Sequence, residues 1–167
     1  ASITSEPMLL FVGRSTDKVK NTDLLMKAFY KVSQEYPTLK LTLVPGEQGL
    51  TFQNVFNVGK KFGKDLAEYY SQARALVVCS WYEGDSIVVR EAKAMGIPVI
   101  ASDLPVLKEN LSGYENAHFF NTDTPAEFRE VIKKVCFSET QPTVKPSLRT
   151  WNDVTKELQS FYRELLG

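Results

Sequence analysis

Three observations predict a doubly wound α/β domain, a parallel sheet with helices on both faces. Short apolar runs of strand length alternate with longer amphipathic segments of helical period along the chain. One run, Ala75-Leu-Val-Val-Cys-Ser80, is continuously apolar to its last residue, as strands covered on both faces are. Half of these runs end at glycine or proline, the punctuation of loops.

Taken in order, Met8–Val12 is a strand stopped by Gly13, and Asn21–Tyr36 places Leu24, Leu25, Ala28, Phe29 and Val32 on one helical face. Leu39–Val44 is a strand closed by Pro45-Gly46, Val55–Val58 another closed by Gly59, and Asp65–Ala73 a short helix. Beyond the strand 75–80, Ser86–Met95 is a helix that stops at Gly96, where a left-handed cap suits glycine. Pro98–Ser102 is a strand, Pro105–Leu111 a short helix and Ala117–Phe120 the last strand. Thr124-Pro-Ala-Glu127 is a capping box with proline at the first helical position, so a helix is expected over Pro125–Cys136. After a loop with Pro142 and Pro146, a final amphipathic segment carries Trp151, Val154, Leu158, Phe161 and Leu165 on one face. No repeat, low-complexity tract or linker divides residues 1–167, which read as one domain.

Composition narrows the function classes. A chain of 167 residues, 43% hydrophobic, buries roughly 70% of its unfolded surface and needs no metal or disulfide to fold. Twenty Lys and Arg balance 20 Asp and Glu, so no net field draws the chain to nucleic acid or to an acidic membrane. Cys79 and Cys136 lie in apolar segments and point to a reducing compartment; with His118 they are too few for a zinc site. His118, within an apolar strand, reads as a buried core residue. No run approaches the roughly 20 apolar residues of a membrane span, and Ala1–Pro7 lacks a signal-peptide pattern, so a cytoplasmic location is expected.

In a doubly wound sheet, ligands bind beyond the carboxyl ends of the strands, where loops enter helix N-termini. The loop Gly13-Arg-Ser-Thr-Asp-Lys-Val-Lys-Asn21 carries three cations but neither a GxGxxG nor a GxxxxGK[ST] pattern, which disfavours a dehydrogenase or an ordinary nucleotide hydrolase. Arg14 and Lys20 suit a phosphate; alone they would read as solvated surface cations. The second loop, from Tyr82 to the helix at Ser86, offers Glu83, Gly84, Asp85 and helix N–H groups, and Glu91 follows on that helix. Carboxylates accept the hydroxyl pairs of sugars well, so cations, a helix N-terminus and two glutamates together suit a nucleotide sugar. Separately, Glu91 is a helix-surface acid and Glu83 a favourable charge at a helix N-terminus.

Phe11-Val-Gly-Arg14, Lys20-Asn21 with Leu24-Leu25 and Ala28-Phe29, Glu83-Gly84 to Glu91-Ala92, and Gly96-Ile-Pro-Val-Ile-Ala-Ser-Asp103 resemble the carboxyl-terminal domain of GT-B glycosyltransferases, family 4. The resemblance spans nearly the whole chain, and its most specific element is the pair of glutamates separated by seven residues. It implies the donor-binding, Rossmann-like half of a retaining glycosyltransferase that uses a nucleotide-diphosphate sugar, UDP-, GDP- or ADP-linked, and needs neither metal nor other cofactor. Carried over by residue, Arg14, Lys20 and Glu83 would be the catalytic set. The two cations would clamp the diphosphate, and Glu83 would hold sugar hydroxyls beside the anomeric carbon. Gly13, Asp85, Ser86 and Ile87 would line the donor site, the last three mainly through backbone N–H groups, and Glu91 would hold the ribose. Lys61 and Phe62 fall, loosely matched, where the family binds the base. Two departures stand out: Asp85, an acid beside the diphosphate, must turn its side chain away or cap the helix, and Asn21 replaces a glycine but tolerates the left-handed turn.

The resemblance also implies an amino-terminal domain of similar size, on the same or a partner chain, that binds a carbohydrate or lipid-linked acceptor and carries any membrane association. The domain alone would bind nucleotide weakly and transfer no sugar. Two other readings stay open: a non-catalytic nucleotide-binding or regulatory module of the same fold, and a related sugar-nucleotide epimerase, for which no catalytic acid can be placed.

Overall fold

The computed structural model describes residues 6–46 and 52–137. The amphipathic segment around Trp151 and Phe161, and the loop with Pro142 and Pro146, lie outside the described residues. In chain order the elements are β1 (Met8–Val12), a 3-10 turn (Lys18–Lys20), α1 (Thr22–Glu35), β2 (Lys40–Val44), β3 (Val55–Asn57), α2 (Gly63–Gln72) and β4 (Ala75–Val78). Then follow α3 (Ile87–Met95), β5 (Val99–Ser102), α4 (Pro105–Asn110), β6 (Ala117–Phe120) and α5 (Pro125–Phe137). Within the described residues, the expected strands and helices are present to within two residues at either end, and the 3-10 turn is new.

All strands run parallel, in the order β3-β2-β1-β4-β5-β6. The strand order reverses between β1 and β4, where Leu9 pairs with Ala75 and Leu10 with Leu76. The period-2 alternation of side chains builds two cores. Leu9 and Phe11 of β1, Val77 of β4 and Ile100 of β5 face α1 and α5, together with Phe29, Val32, Phe128 and Ile132. Leu10, Leu76, Val78 and Val99 face the opposite way, against Tyr70 of α2, Val89 and Ala92 of α3, and Leu107 of α4. Burial on both faces is why β4 is apolar throughout; each such side chain contributes roughly 1.5–3 kcal/mol.

Local chemistry sets the element ends. Gly96 caps α3 in the left-handed region (φ 70°), its N–H reaching back to the carbonyls of Ala92 and Lys93. Gly46 has no room for a side chain: a Cβ there would lie 2.6 Å from the Asn57 Cα. The capping box at Thr124 takes a different form from the one expected. The Thr124 N–H already donates to the Asn121 carbonyl at 3.0 Å, so the Glu127 carboxylate accepts from the Asn121 N–H instead, at 3.1 Å.

His118 corrects the expectation of a buried core residue: β6 is an edge strand and His118 is only half-buried. Burial, and secondarily the charge of Lys134, lower its pKa below the ordinary 6.5. In that window the unfolded chain binds a proton that the folded chain does not, so this group stabilises the fold fully above pH 6.5 and progressively less as pH falls through its folded value. His118 is the chain's single histidine. Urea melts between pH 7.5 and 5 are therefore expected to show a stability loss that His118→Asn flattens; an equal slope in parent and variant would assign it to carboxylates.

Candidate functional site

The strand reversal sets the loop after β1 beside the loop after β4, the place where doubly wound sheets form a ligand crevice. The first loop starts at Gly13, whose φ of 153° disfavours other residues although a Cβ would meet only ordinary contacts, the Lys20 Cε at 3.9 Å among them. Asp17 then nucleates the 3-10 turn: its Oδ1 accepts from the Val19 N–H at 3.0 Å and its carbonyl from the Lys20 N–H at 2.9 Å. Asn21 turns the chain into α1 in the left-handed region (φ 51°, ψ 43°), the conformation expected of it.

The two loops are stitched together. The Trp81 N–H donates to the Val19 carbonyl at 2.9 Å, and the Cys79 thiol lies 3.2 Å from the Lys20 carbonyl and 3.4 Å from that of Asn21. Burial pushes the Cys79 thiol up to about 12, which keeps it a neutral donor. These bonds bring Lys20 onto Glu83, Nζ to Oε1 at 2.6 Å, with the side chains 28% and 8% exposed. The Ser80 hydroxyl donates to the same oxygen at 2.8 Å, and the Ser102 hydroxyl donates to the Ser80 carbonyl at 2.8 Å. An ammonium has three N–H donors, so Lys20 keeps two for another acceptor while it holds Glu83.

The second glutamate is anchored from the neighbouring helix α2. Tyr70, fully buried at the end of α2, donates its hydroxyl to Glu91 Oε2 at 2.7 Å. Burial, reinforced by the Glu91 carboxylate, raises the Tyr70 pKa well above its ordinary value, so the phenol stays protonated at any working pH. Among the described residues, Glu83 Oε2 and Glu91 Oε1 accept no hydrogen bond from the protein.

Ser86 forms the N-cap of α3 without a side-chain cap bond; its N–H, expected to line the donor site, instead donates to Asn110 Oδ1 at 3.2 Å, while its hydroxyl is buried with no partner among the described residues. Among the described residues, Asn21 Nδ2 and Thr22 Oγ1, at the N-terminus of α1, are likewise buried without a partner. Buried polar groups are normally satisfied, so orphans at two helix N-termini beside one crevice suit an anionic, hydroxyl-rich ligand. Asp85 does not cap α3: its carboxylate pairs with Arg90 at 2.8 Å, which neutralises the acid beside the helix N-terminus.

The remaining candidates are less tightly placed. Arg14 lies on the first loop, exposed, and among the described residues no acceptor engages its guanidinium. Ile87 is 67% exposed at the start of α3. Lys61 and Phe62 sit at the entry to α2, Lys61 with its ammonium 6.0 Å from the Tyr69 ring centroid and Phe62 76% exposed. Sequence reasoning missed Tyr70, Ser80, Ser102 and Arg90. A tyrosine on the inner face of a short helix and a serine ending an apolar strand were the signals available. Among the described residues, no three His, Cys, Asp or Glu side chains gather as metal ligands would, and no helix is long and apolar enough to cross a membrane.

Comparison with known proteins gives the family and the fold. Residues 6–136 match the family described as Glycosyl transferases group 1. An uncharacterized glycosyltransferase of Methanocaldococcus jannaschii is 32% identical over 97% of this chain, which spans 47% of that relative. Among solved structures, a sucrose-phosphate synthase of Thermosynechococcus elongatus superposes with a TM-score of 0.64 at 24% identity, over 96% of this chain and 45% of that one. The pneumococcal O-GlcNAc transferase GtfA, in complex with UDP and GlcNAc, gives 0.64 at 22% identity, over 79% and 29%. The chain thus spans about half or less of the proteins it resembles, and the structural likeness bears on fold. Because the family match runs from β1 into α5 and includes both loops of the crevice, the chain belongs to the group 1 glycosyl transferases.

Proposed function

We propose that residues 1–167 form the donor-binding domain of a retaining glycosyltransferase, which takes a sugar from a nucleotide-diphosphate donor and needs a second, acceptor-binding domain on the same or a partner chain. One observation carries the reading: the Lys20–Glu83 pair, drawn together across the strand reversal. A nucleotide sugar brings both chemistries that such a pair accepts, a diphosphate for the ammonium and hydroxyls for the carboxylate.

In this mechanism Lys20 donates its spare N–H groups to the diphosphate, and Arg14, free to swing, completes the clamp. Both stabilise the charge that builds on the leaving phosphate as the bond from the anomeric carbon breaks. The acceptor hydroxyl attacks from the same face, giving its proton to a phosphate oxygen as the new glycosidic bond forms, so no protein nucleophile is needed. Glu83 orients the donor sugar, Glu91 the ribose, and the α3 N-terminus binds phosphate through the Ile87 N–H and the Ser86 hydroxyl, the Ser86 N–H being held by Asn110. The charge on the diphosphate is met by protein cations, without a metal. The UDP and GlcNAc bound by GtfA support a nucleotide-sugar ligand class.

The test is an amide NMR titration of this chain with UDP, GDP and ADP, then with their hexose conjugates. Shifts localised at Arg14, Lys20, Ser86 and Glu91 for one nucleotide are expected, with no sugar transfer by the isolated domain. Silence at millimolar ligand, both here and with the acceptor domain restored, would reduce the kinship to fold.

A further inference from the structure

We propose that Ser80 and Tyr70 are positioning residues that aim the two carboxylates of the site, Ser80 turning Glu83 and Tyr70 turning Glu91, so that each glutamate presents its other oxygen to ligand. This rests on the reading of the crevice as a nucleotide-sugar site, and it names what makes that site selective.

The two carboxylates share one kind of contact, and Glu83 Oε1 has the Lys20 ammonium besides, at 2.6 Å. Each gives one oxygen to a buried hydroxyl, Glu83 Oε1 to Ser80 at 2.8 Å and Glu91 Oε2 to Tyr70 at 2.7 Å. Each keeps the other oxygen clear of protein donors among the described residues. Both hydroxyls belong to residues with no freedom to wander: Ser80 is 1% exposed and Tyr70 2% exposed. Ser80 is fixed further through its carbonyl, which accepts from Ser102 of the neighbouring strand, so the grip on Glu83 is referred to the sheet itself. Tyr70 has one proton to give; its 3.4 Å approach to the Val88 carbonyl is long, and the bond to Glu91 takes it. A carboxylate held at one oxygen loses rotation about its last torsion before ligand arrives, and preorganisation of this kind raises affinity for whatever the free oxygen meets.

The two grips act on different parts of a ligand, which makes them separable. Calorimetric titration of the 167-residue chain gives two ratios: affinity for a hexose-linked nucleoside diphosphate over the nucleoside diphosphate itself, and affinity for that diphosphate over its 2′,3′-dideoxy analogue. Ser80→Ala is expected to shrink the first ratio about tenfold and leave the second unchanged, with Ser80→Thr restoring it. Tyr70→Phe, which keeps the buried ring, is expected to shrink the second about tenfold and leave the first. A loss of general packing would lower both ratios together or neither. A variant that leaves its own ratio intact, or moves both equally, overturns the assignment for that residue. Equal affinities in the parent chain would instead defeat the nucleotide-sugar reading, and this inference with it.

Discussion

Lys20→Ala is expected to weaken binding of a nucleoside diphosphate to this chain by about tenfold to a hundredfold. Charge-assisted hydrogen bonds to phosphate contribute roughly 1.5–3 kcal/mol net, which is that range in affinity. The effect has a second part. Removing the ammonium strands the Glu83 carboxylate, 8% exposed, with Ser80 as its remaining donor, and a poorly solvated acid without its cation repels an incoming diphosphate. Glu83→Gln separates the two parts, because it leaves the Lys20 charge for the phosphate. That variant is expected to keep its affinity for the diphosphate and lose the gain from an attached hexose. Adding Glu83→Gln to Lys20→Ala is then expected to recover part of the lost diphosphate affinity, a coupling that a double-mutant cycle reads directly. Lys20→Ala binding as tightly as the parent would remove Lys20 from the phosphate site.

Phe128→Ala is expected to cost about 3–5 kcal/mol of folding stability, a large part of the roughly 5–15 kcal/mol that domains possess. Phe128 is fully buried on α5, its ring stacked on Phe120 of β6 at 3.9 Å between centroids. Truncation removes the transfer free energy of the ring, leaves a cavity under α5 and abolishes the stack. The same helix packs against α1, where Phe137 stacks on Tyr36 at 4.1 Å. Glu130, exposed on the outer face of α5 and paired among the described residues only with Lys133, supplies the control: Glu130→Ala is expected to stay within about 0.5 kcal/mol. Chemical denaturation of both variants checks the contrast. A Phe128→Ala loss no larger than the control would mean that α5 does not seal this face of the sheet.

How much was legible in the sequence depended on the range of the interaction. Gly96 ends α3 and Asn21 takes the left-handed turn because backbone conformation at those positions is a property of the residue itself. The strands were legible because β4 must be apolar on both faces. Short-range polar bonds were harder: Glu127 was correctly seen to reach back, but Asn121 had already claimed the Thr124 N–H, so the acceptor found a different donor. Asp85 had two possible resting places, and Arg90, five positions on, took it. His118 was misjudged because an edge strand exposes a face that an inner strand would bury.

The candidate site was half legible. Arg14, Lys20, Glu83, Ser86 and Glu91 could be named from residue type, loop position and family resemblance, since a phosphate asks for cations and helix N–H groups and hydroxyls ask for carboxylates. Their mutual arrangement could not. Lys20 meets Glu83 across 63 positions, Ser102 meets Ser80 across 22 and Tyr70 meets Glu91 across 21, and each contact exists only because the parallel sheet sets remote strand ends, loops and helices side by side. Hydrophobic period and turn chemistry act within a few residues, so the sequence by itself determined the elements, their layers and the candidate chemistry. Ser80 reaches Glu83 from three positions away, within the range of local pattern, but the grips of Tyr70 on Glu91 and of Lys20 on Glu83 were decided by tertiary packing, because a hydrogen bond forms where geometry puts its partners within about 3 Å, and local pattern carries no record of that distance between remote residues.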